Sequence, residues 1–434
     1  MELARTIQRK PYNAGMPVRG EQFYGRSELI NNILDGPDRA IWVVSNRRIG
    51  KTSLLYRLTE VANDSGQAAF YIAMDAADTL ERLSTCFLED LDDGDPRLER
   101  LGLKLADLQG KTPVEIIRAF DRGGREHACE VVLLLDEAEG LIQITQDEIA
   151  QDETTQFLKD LQHVFQGAQA LRVVLAATKR LLELDEYCKS WNTSRFLDPF
   201  ALYYLGSLEQ AEALDLVHQS QAPAPQLIDN AVAAAIVDET GGHPYLMQSL
   251  AFALWEDGVV RAPTHNDLLP APGGQWSRMF QQDYDCLSSN ERRILLGFAA
   301  AESLSEAEVA TLLGEGARPE QVHSLLTALA QLCYVRPAGE HYRIGNTMLR
   351  NWLRSGQVQE PAPAVSNAIA EDMANEEQQA LTTQIDTWER RQWALQERQA
   401  QQGISTPPEV TIEIADITTK LGELKSELNR LRRR

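Results

Sequence analysis

A strand-length apolar run, AIWVV at 40–44, is followed by SNRRI and then by Gly50-Lys51-Thr52 at the head of the helix-like SLLYRL. The order strand, loop, helix is where a phosphate-binding loop sits, because free backbone N–H groups and the positive end of the helix dipole converge on one anion. In such a loop Lys51 reaches the outer phosphates and the Thr52 hydroxyl ligates Mg²⁺, with Asn46, Arg47, Arg48, Ile49, Gly50 and Ser53 completing the cradle. The pattern G-x-x-x-x-G-K-[ST] asks for glycine at its first position. This chain has Ser45 there, so the first turn is expected to form with a Cβ present.

Further short apolar runs at Ala68 to Met74, Val131 to Leu135, Arg172 to Ala177 and Phe200 to Leu205 alternate with stretches of helix length. Strands alternating with helices imply a parallel α/β sheet covered on both faces. The second run of the series ends in Asp136-Glu137. Beyond a phosphate loop, Asp136 is expected to hold Mg²⁺ and Glu137 to polarise the attacking water. RVVLAA ends in Thr178-Lys179-Arg180, and ligands of α/β sheets gather at the carboxyl ends of strands, so Thr178 and Arg180 are placed to sense or neutralise a terminal phosphate. The chemistry implied is ATP or ADP binding with Mg²⁺, with Lys51, Glu137 and Arg180 in the catalytic roles.

The 434 residues allow roughly two to four domains, and 42 Lys and Arg against 64 Asp and Glu leave a net charge of −22. That balance opposes unspecific attraction to nucleic acid or anionic lipid and favours a protein partner or small ligand. Five scattered cysteines, with no C-x-x-C spacing, suggest neither a disulfide framework nor a zinc site, and point to a reducing, cytoplasmic setting. No run reaches the 18 or so apolar residues of a membrane span, and the first twenty residues do not read as a signal peptide.

Residues 1–206 thus read as the α/β core. Residues 207–262 are helical in pattern, with a helix expected to open at Ser207 and a break at Thr240-Gly241-Gly242-His243-Pro244. A Pro- and Gly-rich linker follows. Within 275–356, LSSNERRILLGFA, SEAEVATLL and PEQVHSLLTALAQL read as three helices before a β-wing, and TMLRNWLRS as one more: a winged-helix outline. Its helix at the DNA-reading position carries no Lys or Arg, which disfavours DNA contact. In 364–434 a helical tail is expected. There Val410, Ile414, Ile417, Leu421, Leu424, Leu428 and Leu431 alternate steps of 4 and 3, a heptad seam suited to a partner helix or to self-assembly.

Five boxes give the chain a resemblance to the signal transduction ATPases with numerous domains (STAND), within the AAA+ and origin-recognition-like P-loop class. They are FYGRSEL at 23–29, RRIGKTSLL at 47–55, LLLDEAE at 133–139, LAATKR at 175–180 and GGHPYLMQ at 241–248. The resemblance implies a P-loop ATPase core followed by a helical lid and a winged helix. It implies Gly25 and Arg26 on the adenine side, and Pro244 packing on the base from the lid. STAND relatives often hold the diphosphate with a winged-helix histidine, for which His341 is the one candidate. The activity implied is an ATP-binding, hydrolysing switch in bacterial signalling or defence, closed with ADP and assembly-competent with ATP. The alternatives are a DNA-associated AAA+ ATPase and a nucleotide-bound adaptor with vestigial hydrolysis.

Overall fold

Five parallel strands carry the phosphate loop: β1 (Ala40–Val44), β2 (Ala68–Ala73), β3 (Val131–Asp136), β4 (Leu171–Ala177) and β5 (Ala201–Tyr204), in the order β2-β3-β4-β1-β5. A computed structural model describes residues 10–359, apart from 146–150, 189–194, 223–227, 257 and 315–316. The expected tail at 364–434 and its seam lie outside the described residues. The inner strands β1, β3 and β4 read as continuous apolar runs because both their faces are covered, whereas the edge strand β5 is half-buried and leaves Leu202 exposed. Ile41 and Val43 pack toward Leu54, Leu55 and Leu58 of the helix Lys51–Asp64 and toward Ile30, Ile33 and Leu34 of the helix Ser27–Asp35. Trp42, Val44, Phe70, Ile72, Leu133 and Leu135 belong to the opposite core. With β4 between β1 and β3, the strand ends bearing Ser45, Thr178 and Asp136 lie side by side. β1 is also the switch point of the topology, where α/β sheets bind ligands.

The lid consists of the helices Gln210–His218, Asn230–Thr240 and Pro244–Leu254. The first begins three residues later than the serine suggested. Glu212 accepts a hydrogen bond from the Glu209 N–H at 3.3 Å, whereas the Ser207 N–H donates to Cys333 Sγ at 3.0 Å. The break between the last two helices depends on two left-handed glycines, Gly241 (φ 61°) and Gly242 (φ 70°). A Cβ on Gly241 would stand 2.2 Å from the Gly345 carbonyl oxygen, so the glycine also allows two backbones to touch. His243 then caps the last helix through Nδ1, and Pro244 occupies its first turn, where no N–H is needed.

Past the linker come the helices Ser289–Ala300, Glu306–Leu313 and Pro319–Gln331. The hairpin Val335–Ala338 and His341–Ile344 follows, extended by Leu304–Ser305, and then the helix Thr347–Arg354. The elements expected of the wing-bearing part are present in the expected order. One helix was not anticipated: Gln275–Asp285, which buries Met279, Phe280, Asp283 and Tyr284. The apolar core on the Trp42 side of the sheet continues through Leu246 and Leu250 of the lid to Tyr284, Phe298 and Trp352, so core, lid and wing-bearing part share one buried interior.

Residues 10–24, assigned to the core by sequence, also strap the lid. The Tyr12 hydroxyl donates to Val217 O and Lys10 Nζ to Phe252 O, both at 2.9 Å, while the Asn13 N–H donates to Gln248 Oε1 at 2.9 Å. A few residues on, the Val18 N–H reaches Ser53 Oγ at 3.0 Å in the loop-bearing helix.

Candidate functional site

The loop after β1 places its left-handed residues at Arg48 (φ 59°) and Gly50 (φ 103°). Ser45 is not among the positive-φ residues, so glycine's conformational freedom is not required at that position and the first turn forms with a Cβ present, as expected. Ser45 is buried instead. Its hydroxyl donates to Asn46 O at 3.1 Å and accepts from Lys51 Nζ at 3.2 Å, and Lys51 also donates to Asn46 O at 3.0 Å. Burial lowers the Lys51 pKa, against the pull of Glu139, Asp283 and Asp136. The ammonium is thus stored against its own loop, on the side where outer phosphates would offer it better acceptors.

At the end of β3, buried Asp136 accepts from the Tyr71 hydroxyl and from the Glu137 N–H, both at 3.0 Å, and from the Thr52 side chain. Burial pushes the carboxyl pKa up; those hydrogen bonds and Lys51 oppose the shift. Asp136 and Thr52 form an adjoining pair of hard oxygens, the donor set that suits Mg²⁺ when phosphates and water complete its shell. Among the described residues no group of three or more His, Cys, Asp or Glu is arranged to hold a metal alone. Glu137, in a left-handed conformation (φ 51°), lines the cavity, and its pKa is raised by burial and then by the charge of Asp136. A carboxylate with raised pKa accepts a proton more readily.

β3 and β4 are tied where they end: Glu139 Oε1 accepts from the Thr178 N–H at 2.5 Å. Buried Thr178 accepts from the Arg180 N–H at 3.3 Å, capping a short turn that sends its three residues different ways. Thr178 and Arg180 line the cavity, with the Arg180 guanidinium held by Glu183 at 3.1 Å. Lys179 points to the wing-bearing part and pairs with Glu291 at 2.5 Å. The whole cavity has a volume of about 490 Å³, within the range of small-ligand pockets. Its walls come from the loop, the ends of β3 and β4, the strap, the lid and Gln282 of the unanticipated helix.

The model of the family described as Novel STAND NTPase 1 matches residues 17–266. The chain belongs to that family. Among solved structures it is similar to the Walker-type ATPase paby2304 of Pyrococcus abyssi, at 13% identity and TM-score 0.50, covering 78% of this chain and 98% of that one. It is also similar to the Aeropyrum pernix ORC2 protein in its ADPNP–ADP complexes (15% identity, TM-score 0.40, 75% and 91% covered). A third likeness is to the Thermotoga maritima RuvB Holliday junction branch migration motor (14%, TM-score 0.34, 78% and 97%). At these identities the first likeness speaks for the fold alone. No curated protein matches the chain.

In this STAND NTPase the cavity is lined by thirteen of the sixteen expected residues: Arg26, Arg47, Arg48, Ile49, Gly50, Lys51, Thr52, Ser53, Asp136, Glu137, Thr178, Arg180 and Pro244. Ser45, Asn46 and Gly25 are not in the lining. Ser45 lies beneath the loop, Asn46 turns its amide to Leu332 O at 2.6 Å, and Gly25 lies against the Glu212 carboxyl, which a Cβ would meet at 2.3 Å. Arg26 borders the cavity, but its guanidinium donates to Ile49 O at 2.8 Å and Gly206 O at 3.1 Å, fastening the loop to the lid connection. His341 is exposed on the wing and does not line the cavity, so the diphosphate-holding role does not fall to it. Buried His243, its pKa lowered to about 3 by burial and Arg26, is engaged in capping.

Sequence reading missed the strap residues Met16, Val18 and Tyr24, and the lid residues Leu216, Tyr245 and Gln248, all of which line the cavity. Tyr245 carries the Arg48 guanidinium 4.8 Å over its ring, joining lid to loop. No described helix is long and apolar enough to cross a membrane.

Proposed function

We propose that this STAND NTPase is an ATP-binding, slowly hydrolysing molecular switch that acts through protein assembly in bacterial signalling or defence. One observation carries the reading: the wing-bearing part grips the phosphate loop itself. Asn46 Nδ2 donates to Leu332 O, and the Arg47 N–H donates to Asp283 Oδ1 at 3.0 Å. The lid closes the same cavity through Pro244 and Tyr245. Any ligand phosphate entering the loop would therefore act directly on contacts that hold the molecule shut, which is what a nucleotide-controlled switch requires.

The roles follow from position. Lys51 and Arg180 would offset charge on the outer phosphates, Arg180 after leaving Glu183. Thr52 and Asp136 would hold Mg²⁺, whose chemistry is to neutralise charge between phosphates. Glu137 would orient water and take its proton. Met16, Leu216, Pro244 and Tyr245 offer apolar surface for a flat base, which supports ATP and ADP as the ligands. Assembly is assigned to the C-terminal seam, with a protein partner or a second copy as its occupant.

The test is to denature purified protein, identify the released nucleotide and measure molar mass on the same sample. ADP retained in a monomer supports the switch. Protein that carries no nucleotide and binds neither ADP nor ATP in calorimetry defeats it.

A further inference from the structure

The buried acid of the unanticipated helix is unusual in its partner. Asp283 is 5% exposed, lies in the wing-bearing part, and accepts from the backbone N–H of Arg47, the third residue of the phosphate loop. Its placement is fixed from behind, because the Tyr334 hydroxyl donates to the Asp283 carbonyl at 3.1 Å. Arg47 also borders a second cavity together with Arg180, and both line the main cavity beside Lys51. One amide of the phosphate loop is therefore already engaged by a carboxylate of the protein.

We propose that Asp283 is the residue by which the closed molecule discriminates between nucleotides, admitting a diphosphate and rejecting a third phosphate. The inference rests on the nucleotide switch proposed above. Two features make it specific. First, a third phosphate would compete for the Arg47 N–H and for Lys51, whose charge already interacts with Asp283. Second, it would bring negative charge next to a buried carboxylate, where repulsion is screened less than at the surface. Burial pushes the Asp283 pKa up to about 7, against the pull of the Arg47 amide, Lys51 and Arg47, which marks a site already unfavourable to one negative charge. Discrimination by a built-in repulsive group needs no favourable contact to the diphosphate. Admission of a third phosphate would require Asp283 to leave, and with it the helix Gln275–Asp285 that carries it.

The experiment compares ADP with a non-hydrolysable ATP analogue by calorimetry at pH 8, above the value of about 7 to which burial raises Asp283, in the parent and in Asp283→Asn. Asparagine keeps the volume and an acceptor for the Arg47 N–H but removes the charge. The parent is expected to bind ADP at least tenfold tighter than the analogue. Asp283→Asn is expected to tighten the analogue about tenfold while ADP changes less than threefold, and Asp283→Ala to give the same narrowing. Equal affinity of the parent for both nucleotides overturns the proposal without any variant. So does a ratio that neither substitution moves, or a parallel change for both nucleotides, which is what a purely structural role gives. Failure of the parent to bind either nucleotide instead overturns the switch reading, so the two failures are distinguishable.

Discussion

Replacing Lys179 with methionine should loosen the closed molecule by an amount the structure lets one work out. Lys179 Nζ lies 2.5 Å from Glu291 Oε1, with the lysine side chain 23% exposed and the glutamate 3%. Removing one partner of a buried ion pair costs about 3–5 kcal/mol, because the other charge is left without compensation. Here the cost is lower. Glu291 keeps the Ser288 N–H at 2.9 Å and the Ser288 hydroxyl at 2.8 Å, and Lys179 is partly hydrated already, which leaves about 2–3 kcal/mol. Lys179 belongs to the β4 end and Glu291 to the helix Ser289–Ala300, so this cost falls only on the conformer in which the two meet. The closed-to-open ratio should drop roughly 30- to 140-fold. The assay is the dissociation rate of a fluorescent ADP from parent, Lys179→Met, Glu291→Gln and the double variant, with the coupling taken from the cycle. Faster release in both single variants, with a double variant no worse than either, is expected. Parental release rates in Lys179→Met would refute the latch.

Lys51→Ala should lower ATP affinity more than a hundredfold in calorimetry, since no other side chain at the loop head is placed to meet the outer phosphates; unchanged affinity would remove the site assignment. Glu137→Gln should bind ATP within threefold of the parent but turn over about 10²- to 10⁴-fold more slowly, because an amide does not accept water's proton; a parental rate of phosphate release would move the base elsewhere. Ser45→Gly should change ADP affinity less than threefold, since residue 45 is free of positive-φ strain and Lys51 keeps its bond to Asn46 O when the hydroxyl is lost. A tenfold tightening would show that the Cβ does crowd the loop. Replacing Leu421 and Leu424 together with Asp should leave nucleotide binding intact and lower molar mass or partner capture, which light scattering reads directly; no change in either would exclude the seam as an assembly surface.

What the sequence disclosed and what it hid follow from range. Strands buried on both faces appear as uninterrupted apolar runs, so β1, β3 and β4 and the residues at their carboxyl ends were legible by position. Contacts far apart in the chain were not. Asn46 reads as part of a phosphate cradle, yet its amide meets Leu332, 286 residues away. Arg26 reads as a base-side group, but its guanidinium donates to the backbone carbonyls of Ile49 and Gly206, the latter 180 residues away. Lys179 lies between two cavity residues and points elsewhere, because the turn it occupies rotates each residue by about a third of a circle. The helix Gln275–Asp285 was hidden by the prolines and glycines before it. Trp276, Met279, Phe280 and Tyr284 nonetheless repeat at helical spacing, and Asp283 falls on that apolar stripe. An acid on an apolar stripe was the sign in the sequence of a buried carboxylate.

In the switch proposed for this molecule, a third phosphate releases the wing-bearing part from the loop. Hydrogen exchange on Glu137→Gln protein, saturated in turn with ADP and with ATP, measures this at the contacts concerned. With ADP the amides of Asn46 and Arg47 and the helix Gln275–Asp285 should be protected, and with ATP that helix should exchange at least tenfold faster while the strands β1, β3 and β4 remain protected. Equal protection of the helix with both nucleotides, at proven saturation, would contradict the claim.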